Sequence, residues 1–201
     1  DLVVARDGAP VDTLAAALGI GEPPPCEDAS WNWMADNVMV GLGSRREAGF
    51  DPAGTVHDFN LMNENGEYHI ARFTIGDPGQ TWDPVYQAAP GEVLGDLCAF
   101  VDHEGRQHVV VIEGPGTTLR YLLFSADGTL ESVRSVGLTN PARHPALAVN
   151  LEGVAHVVLV EDRGSEESLV EYVITDDDID GPDDLGAGAD AQEPDLVRWG
   201  D

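Results

Sequence analysis

The sequence predicts an all-β protein, built of consecutive antiparallel hairpins that form β-propeller-type blades. Three observations predict this fold class. A turn pattern of Asn or Asp, two residues, Gly, two residues and His recurs along the 201-residue chain. Runs of alternating apolar residues, which are typical of half-buried strands, precede and follow each copy. The periodicity of amphipathic helices is nearly absent.

Each copy of the pattern predicts one hairpin. The copies are "NENGEYHI" (63–70), "DHEGRQHV" (102–109) and "NLEGVAHV" (150–157). The Asn or Asp side chain can accept hydrogen bonds from its own downstream backbone and start a turn. The Gly supplies the positive φ that closes the turn. We therefore expect turns at 63–66, 102–105 and 150–153.

The spacing of the copies predicts blades. Gly66, Gly105 and Gly153 lie 39 and 48 residues apart, and strand-only repeats of this period are typical of four-stranded propeller blades. We expect about four blades, the first beginning within 31–43, or a partial propeller completed by other chains. A propeller would distribute the repeated histidines around its ring, which disfavours a shared metal. We therefore expect each of them to bond backbone of the adjacent blade: His69, His108 and His156.

The predicted organisation has three parts. The stretch "EPPP" (22–25) indicates a boundary, so residues 1–25 form an N-terminal arm or linker. Residues 26–175 form the repeat domain, and residues 176–201 form an acidic C-terminal segment. The opening "DLVVARDGAP" has no signal-peptide pattern and fits a processed product or a segment of a longer polypeptide. Cys26 and Cys98 are compatible with one disulfide or with two buried thiols.

Composition limits the partners. The chain has ten arginines, no lysine and 37 acidic residues, for a formal charge of −27. This field disfavours nucleic acid and anionic membranes, and no apolar run is long enough to span a membrane. It suits high salt or divalent cations, and we expect a salt-adapted source. The alternative is an ordinary acidic protein with skewed codon usage.

Three stretches resemble a known family. The segment 144–175 resembles a blade of the BNR/Asp-box propellers, the sialidase-like superfamily. "IGDPGQTW" (75–82) resembles the Asp box, although Ile replaces its usual Ser, and "SADGTLES" (125–132) is similar but lacks the Trp. The resemblance implies a propeller, in which Asp77 and Trp82 brace a turn. It implies little about activity, because this fold hosts enzymes and binding proteins alike.

The resemblance also suggests enzymatic alternatives. Sialidases of this superfamily bind a substrate carboxylate with three arginines, but the Phe-Arg-Ile-Pro motif that carries the first is absent here. We expect the candidate arginines to pair with neighbouring acids instead: Arg72, Arg120 and Arg163. "WNWMADN" (31–37) and "LRYLLFS" (119–125) are similar to BNR-type polysaccharide lyases. That likeness implies candidates for proton abstraction: His57, His103 and Tyr121.

An acidic loop predicts a calcium site. "DDDIDGPDD" (176–184) places carboxylates at alternating positions before Gly181, as calcium-binding loops do. It resembles the calcium loops of FG-GAP repeats, although an insertion at 185–193 makes Asp195 an alternative ligand. The predicted ligands of one Ca²⁺ are Asp176, Asp178, Asp180 and Asp184. The alternative is a solvated acidic linker.

The predicted function is a non-catalytic propeller module for binding or assembly. We expect a glycan or protein partner, or self-assembly, in a calcium-stabilised protein that is secreted, cell-surface or virion-associated. Aromatic rings stack on sugars and anchor interfaces, so the ligand-binding candidates are Trp31, Trp33 and Tyr86, with Trp199 as a further one. The same rings could equally pack between blades. The alternative function is a glycan-cleaving hydrolase or lyase, which a convergent cluster of Arg, Tyr and carboxylate would support.

Overall fold

Consecutive strands form three antiparallel sheets. The computed structural model describes residues 46–75 and 83–188, all within one compact unit, Met39–Asp201. In these two ranges every regular element is a strand, and each sheet takes four strands that follow one another in sequence. Within the described residues no helix could cross a membrane. The first 45 residues, and with them the predicted blade start at 31–43 and the boundary at residue 25, lie outside the description.

The sheets are called blades 1, 2 and 3 in chain order. Blade 1 contains β1 (Arg46–Phe50), β2 (Val56–Glu64), β3 (Glu67–Ile75) and β4 (Asp83–Gln87). Blade 2 contains β5 (Leu94–Val101), β6 (Gln107–Glu113), β7 (Thr118–Phe124) and β8 (Leu130–Gly137). Blade 3 contains β9 (Ala142–Val149), β10 (Ala155–Asp162), β11 (Glu167–Ile174) and β12 (Ile179–Gly188).

The first strand of each blade lies innermost. β5 contacts both β1 and β9, so the three first strands are neighbours, while the fourth strands form the outer edges. The predicted acidic C-terminal segment contributes Ile179–Gly188 to blade 3 as β12. The acidic residues of this strand therefore lie on the edge of a sheet.

The core lies between neighbouring blades. One apolar cluster, which includes Phe59, Leu97 and Val109, joins blades 1 and 2, and another, which includes Leu119, Leu159 and Tyr172, joins blades 2 and 3. Because side chains alternate along a strand, β6 faces both clusters and is buried along its whole length. The predicted core residues are buried, except for the half-buried Phe100: Leu97, Phe100, Val109, Val111, Leu147, Val149, Val157 and Leu159.

The repeated turn joins the first and second strands of every blade. In blade 2 the Gly105 N–H donates to the Asp102 carbonyl, and the Asp102 N–H donates to the Arg106 carbonyl. The same two bonds recur in blade 3 around Asn150 and in blade 1 around Asp51. The equivalent copies are therefore "DPAGTVH" (51–57), "DHEGRQH" (102–108) and "NLEGVAH" (150–156).

This arrangement corrects the first predicted copy. "NENGEYHI" does form a hairpin turn, but it joins β2 to β3, where Glu64 pairs with Glu67. The two residues between them, Asn65 and Gly66, have φ of 56° and 88°, which is typical of a two-residue hairpin loop. The counterpart of His108 and His156 in blade 1 is thus His57, and His69 lies on the third strand.

One Asp-box-like stretch forms a braced turn. Asp127 accepts hydrogen bonds from the Ser125 hydroxyl at 2.5 Å and from the Thr129 N–H at 3.1 Å, between β7 and β8. Residues 76–82 of the other stretch, including Asp77 and Trp82, lie outside the described residues.

Candidate functional site

The blades have two ends that differ in chemistry. At the turn end lie the repeated turns that begin at Asp51, Asp102 and Asn150. At the opposite connector end lie the links between blades, 88–93 and 138–141, together with the turns between second and third strands. Adjacent blades meet at both ends: Gly105 packs near Asp51 at the turn end, and the Ala142 N–H of β9 donates to the Gly116 carbonyl of blade 2 at the connector end.

A buried Asp–His pair anchors the turn end of blade 2. Asp102 Oδ1 accepts the N–H groups of Glu104 and Arg106 at 2.9 Å, and its Oδ2 accepts Arg106 Nε at 2.8 Å. His108 Nε2 lies 3.1 Å from the same Oδ2, and His108 Nδ1 lies 2.6 Å from the Tyr121 hydroxyl. The pair therefore ties the turn to β6 and β7 of one blade.

Burial sets the protonation of this pair. Burial lowers the pKa of His108, against the opposing effect of the Asp102 carboxylate. Burial alone would raise the pKa of Asp102, but the hydrogen bonds from His108 and Arg106 outweigh it and hold that pKa below its usual value. Both effects favour a neutral imidazole beside an ionised carboxylate.

The other blades vary this arrangement. In blade 1, His57 Nε2 lies 3.4 Å from Asp51 and its Nδ1 lies 3.4 Å from the Thr74 hydroxyl. In blade 3, His156 contacts Glu171 of β11 at 2.8 Å. His108 and His156 thus contact side chains of their own blades, so the expectation that they bond the backbone of the adjacent blade is wrong for these two residues.

The lyase candidates are not assembled into one site. His57 and Tyr121 are buried in blades 1 and 2, each bonded within its own blade. His103 is exposed on the turn of blade 2. These three side chains therefore do not form a common site within the described residues.

At the connector end, two neighbouring inner strands bulge at equivalent positions. The pairing of β5 with β6 is irregular between Leu94 and Leu97. The pairing of β9 with β10 is irregular at His144 and Pro145, which lie between the paired residues Arg143 and Ala146. Asp96 and His144 each precede the repeated turn of their blade by six residues. Bulges of this kind often redirect side chains near active sites.

The bulges bring Asp96 and His144 together. The His144 N–H donates to Asp96 Oδ2 at 2.7 Å, and His144 Nδ1 lies 3.3 Å from the same oxygen. The His144 side chain is 28% exposed and the Asp96 side chain is 23% exposed, so solvent reaches both groups. His144 has a φ of 53°, a left-handed conformation that costs about 1–3 kcal/mol in a residue with a side chain. Such strain clusters at functional sites.

An open cleft of about 310 Å³ adjoins this pair between blades 2 and 3, and is called the connector cleft. Its charged lining residues are Asp96, Arg143 and Asp162, and three glycines line it as well: Gly95, Gly114 and Gly116. A Cβ on Gly116, whose φ is 83°, would lie 2.6 Å from the Ala142 carbonyl oxygen. Only glycine fits here, because the turn lies directly on the start of β9.

The charges around the connector cleft are mostly negative. Arg143 forms an ion pair with Glu167 of β11, which offsets its positive charge. The Asp162 carboxylate accepts the Gly164 N–H at 2.8 Å and is exposed. Two carboxylates, Asp96 and Asp162, thus line one solvent-filled depression beside a partly exposed imidazole.

A second polar cluster lies at the connector end between blades 1 and 2. Arg120 Nε and Nη2 lie 2.5 Å and 2.8 Å from the Glu113 carboxylate, and Nη2 lies 3.8 Å from Glu92. The guanidinium carbon lies 5.4 Å from the centre of the Tyr86 ring. Burial, together with the nearby Glu92 carboxylate, raises the pKa of Glu113 to about 7. Of the predicted ligand-binding aromatics, Tyr86 lies here, half-buried, while Trp31, Trp33 and Trp199 lie outside the described residues.

The predicted calcium ligands make separate contacts. Asp184 accepts Arg163 Nη1 at 2.6 Å and the Ser168 hydroxyl at 2.9 Å. Asp178 and Asp180 each accept the N–H of the next residue. Across 46–75 and 83–188, no three His, Cys, Asp or Glu side chains are placed to hold a metal ion. The four predicted ligands therefore do not form such a group in this structure: Asp176, Asp178, Asp180 and Asp184. Asp195 lies outside the description, and calcium binding stays a prediction.

Comparisons with known proteins identify the fold class. No protein-family model and no curated protein matches this sequence. An exo-β-1,3-galactanase from Clostridium thermocellum is similar in structure over 72% of this chain and 36% of its own, with 13% identity and a TM-score of 0.51. A galactanase from Phanerochaete chrysosporium matches over 70% of this chain and 35% of its own, with 9% identity and a TM-score of 0.48.

The likeness confirms an all-β, β-propeller-type fold. This chain spans about a third of the length of the galactanases that it resembles. An α-L-arabinofuranosidase from Podospora anserina matches less closely, with 11% identity over 79% of this chain and 71% of its own, and a TM-score of 0.35.

The sequence did not indicate Asp96 and His144. They lie 48 residues apart, in strands that the apolar pattern predicts as plain core. One signal was present: both occupy the sixth position before the repeated turn, and each lies just before the apolar run of an inner strand. Alignment of the repeats on the corrected copies makes that coincidence visible.

Proposed function

We propose that this chain is the propeller part of a glycan-cleaving protein, and that its glycan site is the connector cleft. One observation carries the proposal. Two successive inner strands bulge at the same repeat position, which brings Asp96 and a strained His144 together at an open cleft.

The chemistry of the connector cleft suits glycoside hydrolysis. That reaction usually needs two carboxylates near the scissile bond, one acting as an acid and the other as a base or nucleophile. Asp96 and Asp162 line the same cleft. In this proposal His144 holds Asp96 in position through its backbone N–H, and Asp96 acts as the base or nucleophile. Asp162 is the second carboxylate.

The fold likeness adds support of a weaker kind. The structure with the TM-score of 0.51 is described as an exo-β-1,3-galactanase, which acts on a glycan. A shared fold does not transfer an activity, because one fold hosts many functions. Since the chain spans about a third of that enzyme, the activity of a whole protein here is itself a proposal.

A non-catalytic glycan-binding module is the second candidate. It is favoured by Tyr86, a half-buried ring at the connector end that stacks with Arg120 beside two glutamates. Aromatic rings flanked by charged groups are common sugar-binding surfaces. Calcium stabilisation, salt adaptation and a secreted, cell-surface or virion location accompany either candidate as proposals of their own.

Hydrolysis assays separate the two candidates. The purified chain is incubated with β-1,3-galacto-oligosaccharides and with α-L-arabinofuranosyl substrates, and released sugar is measured. We expect turnover that falls at least about 100-fold in Asp96→Asn, as loss of an acid–base group predicts. Asp177→Asn is the matched control, since Asp177 is exposed on the β11–β12 turn and has the same charge.

The outcomes are distinct. Turnover that survives in Asp96→Asn removes the connector cleft from the mechanism. Binding without any turnover, and weakened by Tyr86→Ala, supports the non-catalytic module. Failure of every substrate both to bind and to react contradicts a glycan function for this chain.

A further inference from the structure

We infer that the connector cleft takes an uncharged glycan and discriminates against acidic sugars such as uronic or sialic acids. The inference rests on the proposed function and specifies its substrate class. It differs from the enzymatic alternatives that the sequence suggested, because a sialidase must bind a substrate carboxylate. Sequence resemblance had left candidate arginines for such a carboxylate, and the structure shows how each is used.

Recognition of an acidic sugar needs a cation with free donors. Arginine supplies these through a planar fork that matches a carboxylate, and lysine supplies them as a point charge. The chain contains no lysine. A site for acidic sugars would therefore have to use arginine.

Every arginine side chain that the structure describes is already engaged within the protein. The partners are Gln107 for Arg72, Asp102 for Arg106, Glu113 for Arg120, the Thr175 and Asp176 carbonyls for Arg134, Glu167 for Arg143, and Asp184 for Arg163. Four of the six form ion pairs with carboxylates, and Arg72 lies near the carboxylates of Asp83 and Asp127. Arg134 is held by two backbone carbonyls. None of these six arginine side chains is left over for a ligand carboxylate.

The connector cleft itself repels anions. Asp96 and Asp162 line it, and its one lining arginine, Arg143, is paired with Glu167. The formal charge of −27 adds a long-range field of the same sign. An acidic sugar would approach two carboxylates without gaining a compensating cation.

A neutral sugar meets the opposite situation. Its hydroxyls donate hydrogen bonds, and carboxylates are strong acceptors of such bonds. Three glycines line the cleft, Gly95, Gly114 and Gly116, and their lack of side chains lets a sugar ring approach the backbone closely. The connector cleft therefore fits hydroxyl donors without charge.

Two trisaccharides of matched size test the inference. Binding of a neutral galactose trisaccharide and of trigalacturonic acid to the whole chain is measured by calorimetry at low and at molar salt. We expect the neutral sugar to bind at least roughly tenfold more tightly at low salt, the effect of one partly buried like-charge contact. This difference in affinity should become smaller at molar salt, where the negative field of the protein is screened.

A charge variant sharpens the test. Glu167→Gln releases Arg143 from its carboxylate and should raise the affinity for trigalacturonic acid by about tenfold. Glu166→Gln is the matched control, because Glu166 is exposed beside it and the change in net charge is the same. A gain in Glu166→Gln equal to that in Glu167→Gln would show a general charge effect and remove the role assigned to Arg143.

The failures of the inference and of the proposed function are separable. Equal or tighter binding of trigalacturonic acid by the native chain overturns the inference while the cleft remains a glycan site. Binding of neither trisaccharide overturns the proposed function, and the inference with it.

Discussion

The turn end and the connector end of this protein are built on the same three blades, but they differ in regularity. At the turn end each blade has the same backbone turn, closed by the same two hydrogen bonds. At the connector end the loops differ in length, the inner strands bulge and one residue is held at a strained φ. The repeated turns position the strands, whereas the candidate site lies where the inner strands of blades 2 and 3 bulge.

A smaller difference within the turn end is equally informative. Blades 1 and 2 have Asp at the first turn position, and its second oxygen contacts the blade's histidine. Blade 3 has Asn150 instead, whose Oδ1 bonds only the turn N–H groups of Glu152 and Val154, and His156 contacts Glu171. The turn itself thus needs one side-chain oxygen, and the second oxygen of the Asp adds the link to the strand.

The largest expected effect is a loss of stability, which we expect to be greater at the turn of blade 2 than at the turn of blade 3. Asp102→Ala should lower the free energy of unfolding by about 3–5 kcal/mol, because Arg106, His108 and two N–H groups lose a buried acceptor. Asn150→Ala, which removes only an exposed turn acceptor, should lower it by about 1–2 kcal/mol. Urea unfolding of both variants measures the difference. Equal losses would contradict the role of the Asp–His pair.

The second prediction concerns pH. The pKa of His108 lies below 6.5 in the folded protein, so below pH 6.5 the unfolded chain protonates this residue more readily and the contribution of His108 to stability falls as pH falls. Glu113, whose pKa is raised to about 7, contributes in the opposite direction. The dependence cannot exceed about 1.4 kcal/mol per pH unit for one proton. Asp102, whose pKa is lowered from 3.8, adds a further loss only in more acidic solution.

Substitution isolates the contribution of His108. Between pH 7.5 and about pH 5.5, the free energy of unfolding of His108→Gln should fall less than that of the native chain. His103→Gln, on the exposed part of the same turn, should leave the native difference unchanged. Retention of the full pH dependence in His108→Gln would assign it to other groups.

The smallest expected effect lies at the connector end. His144→Gly and His144→Ala both remove the imidazole, but only Gly adopts a φ of 53° without strain. The Gly variant should therefore be more stable than the Ala variant by about 1 kcal/mol. Both variants keep the backbone N–H that holds Asp96, so the Gly variant, which is free of strain, should retain glycan turnover or binding. Identical thermal unfolding of the two variants would show that position 144 carries no strain.

Much of the scaffold was predictable from the sequence. The Asp-x-x-Gly turns and the apolar alternation around them correctly predicted the hairpins at 102–105 and 150–153 and the core positions of β5, β6, β9 and β10. The hairpin turn at 63–66 was also predicted correctly, but its equivalence with the other two copies was wrong, because it joins β2 to β3 and not the first strand of a blade to the second. Register depends on pairing with a neighbouring strand, which a local motif does not encode.

The candidate site was less predictable. A bulge such as the one at His144 depends on how β9 pairs with β10, and the approach of Asp96 depends on contact between two blades. Tyr86 was named from its chemistry alone, and the structure adds its neighbours Arg120 and Glu113. The charge pattern predicted that most arginines pair with acids, because carboxylates outnumber them in this chain.

The order of the strands has a consequence for how the chain folds. In every blade, sheet neighbours are also sequence neighbours, so each four-stranded unit forms from local hairpins. Domains dominated by local pairing fold faster than those that must close long loops. Contacts between β1, β5 and β9 are the long-range step, so each blade can form as it leaves the ribosome and then dock on the one before it.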